Sequence, residues 1–388
     1  MGNVWAERMS RAPDPLTVPA ASEPEGSAPP PEPTSPLTPR RLILGGLFIA
    51  AALGGLYFLL PKLAGLHETW GRIKHGDPLL LALGAVLELF SVGGYAVMFR
   101  TVFSRGYPRI DWHASIEIPL AGIAAIRLLA AAGAGGVAVT AWALRRAGMP
   151  TRTIACRMVA MYVLQYAVYL GALVVGGLGL RYGLFAGQSP FALTAVPAFL
   201  SAAAIALVAS MGLVPGDFER RLERLASRGG RIGRFAARAA TAPAILGTAV
   251  RTVTGLFRER RPGVLGAVAY WGFDIAVLGL SLRAFGPGSP VAVLVMCYFL
   301  GTLGSLLPLP GGIGGVEGGM IGALAAFGMP GGQAVVGVLT YRAISFWLPT
   351  LPGLAGYIAL RKRVHHWQDE DAAPSGAQGP VPASPTPG

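Results

Sequence analysis

Two glycine runs set inside long apolar stretches constrain this chain more than any other feature of its sequence. Apolar segments recur between Leu42 and Leu360, and about 20 such residues suffice for a helix to cross a hydrocarbon core of ~30 Å. Uninterrupted candidates are Leu42–Leu60, Leu79–Phe103, Ile154–Leu180, Phe191–Val214, Val264–Leu282 and Ala334–Leu360. Two further stretches are broken. Ile116–Leu144 contains Gly133-Ala134-Gly135-Gly136, and Val291–Phe327 contains Pro308-Leu309-Pro310-Gly311-Gly312-Ile313-Gly314-Gly315. Runs of this kind end a helix, because proline has no N–H to donate and glycine is conformationally loose.

The charge content excludes an ordinary soluble domain. Only 13% of the 388 residues are charged and 53% are hydrophobic, with a mean hydropathy of +0.54, whereas soluble domains carry about 25% charge. The fold class that follows is an all-α polytopic membrane protein, with about six full spans and two glycine-broken hairpins. The formal charge of +13 sits between apolar runs, so anionic headgroups rather than nucleic acid are the expected partner. Residues 1–39 and 364–388 are rich in Pro, Ser and acids and read as disordered cytoplasmic tails. They flank a membrane domain over 40–363, which includes a basic cytoplasmic segment over 215–261. Cys156 and Cys297 lie in or beside apolar runs without metal-ligand spacing, and neither metal nor cofactor is called for.

Positive charge sets the topology. With the N-terminus cytoplasmic and Ile116–Leu144 entering and leaving on one side, the cytoplasmic flanks carry 23 Lys and Arg against five outside. A single crossing by Ile116–Leu144 would instead put the eleven arginines of 215–261 outside, against the positive-inside rule. That stretch therefore reads as a re-entrant hairpin from the cytoplasm. The second broken stretch satisfies parity either as a hairpin from the opposite face or as two spans. The two breaks also resemble each other: Leu128-Leu129 precedes Gly133–Val137 much as Leu306-Leu307 precedes Gly311–Val316. Entry from opposite faces is the pattern of an inverted repeat. Between them, Arg220, Arg221, Arg224, Arg228, Arg231, Arg234 and Arg238 recur at helical spacing. They read either as a lipid-surface helix or as an ordinary positive-inside loop.

Ionisable residues within apolar spans cost at least ~2.5 kcal/mol each near the bilayer centre. Glu88, Arg127, Asp274, Glu317 and Arg342 stand in such positions. Glu317 lies where a half-helix begins, so it complements the helix N-terminus, pairs with Arg342 or meets a cationic headgroup or proton. Arg127 is placed to hold a phosphate or to pair with Glu88. Asp274 is a proton carrier or a pairing partner, and with Glu88 forms a candidate intramembrane charge relay. Backbone N–H groups at a glycine run opening a half-helix favour an anion. Gly133, Gly135, Gly136, Gly311, Gly312, Gly314 and Gly315 are therefore candidate headgroup contacts. They do not form a nucleotide loop, since no Gly-Lys-Ser/Thr follows.

The run from Leu306 through Glu317, followed by Thr340-Tyr341-Arg342 and Phe346-Trp347-Leu348-Pro349, resembles the closing motif of the lysylphosphatidylglycerol synthase transmembrane-domain family. That family includes the flippase half of the multiple peptide resistance factor and stand-alone flippase-like proteins of bacteria. The stretch from Arg127 to Gly136, with Trp142 to Gly148, is similar to the family's first glycine motif, although Ala130-Ala131-Ala132 stand where proline is expected. The resemblance covers about residues 41–363. It implies a multi-pass protein of the bacterial cytoplasmic membrane, with both termini inside, that moves an amphiphilic lipid between leaflets along the broken helices. Fused members carry a soluble lysyl-transferase domain of several hundred residues, which these residues do not contain, so no enzyme activity is expected of them. Two functions follow from this reading. One is a flippase-like transporter for a phospholipid or glycolipid, with anionic or aminoacylated lipids as partners. The other is an accessory membrane subunit that presents lipid to a partner glycosyl- or aminoacyl-transferase.

Overall fold

The computed structural model of the chain describes residues 76–128, 134–212, 247, 249–259, 261–306 and 312–372. The expected span Leu42–Leu60, the tail 1–39, residues 373–388, Gly133, Gly311 and most of the basic segment 215–261 lie outside the described residues. Among the described residues every regular element is helical. In chain order these are α1 (Pro78–Phe103), α2 (Trp112–Leu128), α3 (Ala134–Arg146), α4 (Thr151–Arg181) and α5 (Phe191–Gly212). There follow α6 (Pro262–Arg283), α7 (Val291–Thr302) with a 3-10 turn over Leu303–Leu306, α8 (Gly315–Ala326), α9 (Gly331–Arg342) and α10 (Leu348–Ala372). A π turn over Ala343–Trp347 joins the last two. The stretches long and apolar enough to cross a membrane are α1, α4, α5, α6 and the continuous α9–α10 run, while α7 and α8 are shorter apolar helices. This is the all-α polytopic architecture expected from the sequence.

Helices α1 and α6 form the central pair. Asp77 caps α1, its carboxylate accepting from the Leu79 N–H at 2.9 Å, and Pro78 takes the first helical position where no donor is needed. The pair runs antiparallel: the Asp77 N–H donates to the Ala284 carbonyl, Phe90 meets Phe273, and Gly263 faces Thr101. At mid-length Gly94 and Gly266 bring the backbones together. A Cβ on Gly94 would lie 2.8 Å from the Gly266 carbonyl oxygen, and one on Gly266 would lie 2.7 Å from that of Gly94. In lipid, helix association rests on such close packing, because apolar burial gives little drive. Gly94→Ala is expected to cost about 1–3 kcal/mol by overpacking. The neighbouring Gly93, with nothing within 4 Å of its added Cβ, serves as control. Thermal unfolding in detergent checks both, and equal midpoints would show that the contact is dispensable.

The two broken stretches fold back on themselves. In the first, Gly136 of α3 sits against Ile126 and Gly122 of α2, and Gly122 faces Thr140. In the second, Gly301 of α7 sits against Met320 of α8, and Gly304 lies against Gly315. In each stretch the two halves pack directly on one another. The α2–α3 pair belongs with the end holding the C-terminus of α1 and the start of α4, where Phe103, Ile110, Leu144 and Met149 are buried in one core cluster. The α7–α8 pair belongs with the opposite end, where Leu180, Leu282, Met296 and Phe327 share a second cluster.

Two boundaries differ from the sequence reading. Gly135 and Gly136 are buried within the first turn of α3 rather than in an open break, and at Gly136 the missing side chain admits Ile126 and Gly122 of α2. Helix α10 continues to Ala372, past the tail boundary at residue 364. Val364 and Trp367 are buried there, Arg363 holds Glu117 through two hydrogen bonds of 2.7 and 2.9 Å, and Arg109 makes a bidentate pair with Asp371. Of the basic segment, Ala249, Val253 and Leu256 join the first core cluster. Cys156 and Cys297 are both free thiols.

Candidate functional site

The structure brings all five membrane-embedded charged residues to one region, where the tips of the two hairpins meet. Pro349 starts the local chain of causes. It stands four residues after Ser345 and lacks the N–H that the Ser345 carbonyl would take in an α-helix. The backbone passes through the π turn Ala343–Trp347 just before it, a distortion often found at functional sites. Arg127, in the last turn of α2, claims the liberated acceptors. Its Nη2 donates to the Ser345 carbonyl at 2.8 Å, and its Nη1 donates to the Phe346 carbonyl and to Thr350 Oγ1. Its guanidinium also lies 5.1 Å from the centre of the Phe346 ring.

The second hairpin reaches the same ring. Glu317, three residues into α8 from its cap, accepts the Gly314 N–H at 2.7 Å and binds Arg342 Nε at 2.7 Å. Gly312 and Gly314 take φ of +69° and +87°, left-handed conformations that a side chain would strain. The Arg342 guanidinium lies 5.2 Å from the Phe346 ring. Phe346 is therefore a shared cation–π partner of both arginines, and through it the tip of α2 is linked to the start of α8. The Glu317 and Arg342 side chains are only 7% and 16% exposed, so their attraction acts in apolar surroundings with little screening.

Behind this pair lies a carboxyl centre. Asp274 of α6 is buried, and its Oδ2 accepts from the Tyr298 hydroxyl at 2.5 Å and the Tyr341 hydroxyl at 3.2 Å. Glu88 of α1 is buried, and the register that sets Phe90 against Phe273 and Ser91 against Tyr270 places it alongside Asp274. The Trp271 and Phe299 rings pack edge-on against Tyr298, and Tyr169 packs edge-on against both of them. A crevice lined by Tyr95, Phe99, Gly122, Gly136, Thr140 and Tyr162 opens beside the first hairpin. Among the described residues no group of three His, Cys, Asp or Glu is placed to hold a metal ion.

Of the pairings weighed from sequence, Glu317 takes both the helix cap and Arg342. Arg127 hydrogen-bonds to backbone carbonyls and Thr350 rather than to Glu88. Gly312, Gly314 and Gly315 lie at the second tip, Gly136 lies in the α2–α3 packing face, and Gly135 is buried in the first turn of α3. Sequence reasoning missed Tyr298, Phe346 and Thr350 as parts of the centre. Phe346 stood in the Phe-Trp-Leu-Pro motif, but nothing marked Tyr298.

The family model for the lysylphosphatidylglycerol synthase TM region matches residues 42–353. The chain belongs to this family. Membership agrees with the resemblance carried by the Leu306–Glu317 motif, and the chain is an integral, multi-pass membrane protein. Two relatives from Methanothermobacter thermautotrophicus, both named UPF0104 membrane protein, are similar over shorter stretches. One is 33% identical over 110 residues, 27% of this chain and 31% of the relative. The other is 37% identical over 84 residues, 21% of this chain and 25% of the relative. The chain thus spans about a third or less of the length of either.

Proposed function

We propose that the protein is a flippase-like transporter that carries the headgroup of a phospholipid or glycolipid between leaflets, past the two hairpin tips. The observation that carries this reading is the meeting of Arg127, from one hairpin, with Glu317 and Arg342, from the other hairpin and the helix after it, around Phe346. A polar centre flanked by apolar helices suits a molecule whose head is charged and whose tails remain in lipid. The guanidinium groups and the tip amides are suited to a phosphodiester, and the carboxyl groups to an amine, as in aminoacylated lipids.

In this reading α2–α3 and α7–α8 are re-entrant hairpins from opposite faces. They follow α1 and α6 as two halves of an inverted repeat about the Gly94–Gly266 contact, the arrangement in which transporters place a central site. The end bearing Arg105, Arg109, Arg157 and Arg363 is cytoplasmic, in a bacterial inner membrane. Lipid transfer, not aminoacyl transfer, is the work assigned to these residues.

Reconstitution tests it. Purified protein in liposomes is expected to expose fluorescent phosphatidylglycerol or its aminoacylated form to an external quencher faster than protein-free vesicles do. Equal rates for anionic, aminoacylated and glycosylated lipids would reject the proposal. Single cysteines at Ala138 and Thr140 are expected to react from the cytoplasmic side. Labelling from outside would reject the hairpin topology.

A further inference from the structure

Charge counting at the centre leaves one feature unexplained by headgroup binding. Glu317 and Arg342 balance one another as an ion pair. Arg127 then faces two acidic groups, Glu88 and Asp274, with which it interacts electrostatically. Two carboxylates and one guanidinium leave a net negative charge among buried side chains, a costly state. The two buried carboxyl groups also stand at the same level of the antiparallel α1–α6 pair, where Phe90 meets Phe273 and Ser91 donates to the Tyr270 carbonyl. Two carboxylates offer only acceptors, so neighbouring carboxyl oxygens satisfy one another only with a proton between them. The buried oxygens Glu88 Oε2 and Asp274 Oδ1 have no hydrogen-bond donor among the described residues, whereas Asp274 Oδ2 takes both tyrosine hydroxyls. The groups facing the pair are Tyr298 of α7, Tyr341 of α9, Tyr270 of α6 and Arg127 of α2. Of these only Arg127 carries charge.

We propose that Glu88 and Asp274 hold a single exchangeable proton between them, and that its binding and release are coupled to lipid movement. This rests on the flippase reading above. The proton arrives from water on one face, adds to a carboxylate oxygen of the pair and leaves to water on the other face; no other bond forms or breaks. Protonated, the five-residue centre is neutral; deprotonated, it carries one negative charge. An anionic headgroup at Arg127 and Arg342 is therefore held better by the protonated centre, and by reciprocity it strengthens proton binding. Proton and anionic lipid travel in the same direction.

The test uses the full chain in liposomes with fluorescent phosphatidylglycerol and an imposed pH gradient. Wild type is expected to move lipid severalfold faster along the direction of proton flow than without a gradient. Glu88→Gln and Asp274→Asn are expected to lose that response. A wild-type rate indifferent to the gradient overturns the coupling and leaves the flippase reading standing. Absence of lipid movement under every condition overturns that reading and the coupling with it. The proton site is judged separately by infrared spectra of the purified proteins. A carboxylic-acid stretch that titrates in wild type and vanishes in both variants, each shown to be folded by circular dichroism, supports it. A wild-type spectrum without that band overturns it.

Discussion

Replacing Arg342 with glutamine is expected to destabilise the protein by about 3–5 kcal/mol, the usual cost of removing one partner from a buried ion pair. The loss is large because Glu317 stays behind, 7% exposed, with the Gly314 N–H as its remaining donor. Glu317→Gln is expected to cost less, about 1–3 kcal/mol. Its amide oxygen still accepts from Gly314, and Arg342 keeps the Phe346 ring. The double variant is expected to be less destabilised than Arg342→Gln alone, since no unpaired charge remains. Chemical or thermal unfolding in detergent, set out as a double-mutant cycle, measures the coupling. Single-variant losses that simply add would show that the pair is solvated rather than buried. Both single variants are expected to lose lipid transport, because Arg342 fixes the α8 start against the Phe346 ring.

The residues of this centre were legible in the sequence, but most of their pairings were not. A charge in an apolar run is conspicuous because the membrane makes it costly, and Glu88, Arg127, Asp274, Glu317 and Arg342 were all found on that ground. What each one touches depends on how helices cross. Arg127 bonds to Ser345 and Phe346, more than 200 residues away, and no local pattern encodes that meeting. Pro349 held a partial clue, since a missing donor at that position frees the Ser345 carbonyl. Tyr298 held none, because an aromatic residue in an apolar helix is ordinary until its hydroxyl is seen to face Asp274. The glycines were legible as special but not as to role. Proline and glycine together suggested breaks, yet Gly135 and Gly136 lie inside a helix, where Gly136 admits a neighbour. The extension of α10 to Ala372 was hidden by its polar composition; Trp367 and Val364 bury one side while Arg109 and Asp371 tie down the other.

Among the described glycines the closest approach to backbone atoms falls on Gly304, and Gly304→Ala is expected to abolish both the second hairpin's packing and transport. A Cβ there would lie 2.1 Å from the Gly315 carbonyl oxygen and 2.2 Å from its carbon, whereas close C–H···O contacts fall at ~3.3 Å or more. Relief requires the turn after α7 and the start of α8 to part by roughly 1 Å. These are backbone atoms, so no rotamer change can absorb the clash. Gly315 is the first residue of α8 and Glu317 the third, so the same displacement pulls the carboxylate from Arg342. The cost is expected to exceed the ~1–3 kcal/mol of ordinary overpacking. Gly322→Ala provides the contrast within α8. Its added Cβ meets nothing within 4 Å, and alanine gains up to about 1 kcal/mol over glycine in a helix interior. The two substitutions add the same methyl group to the same hairpin, so composition and membrane insertion are matched between them. Unfolding midpoints and lipid-exposure rates are expected to diverge, Gly304→Ala falling and Gly322→Ala holding. If Gly304→Ala unfolded and transported like wild type, the close backbone approach at the second tip would be excluded as a feature of the working protein.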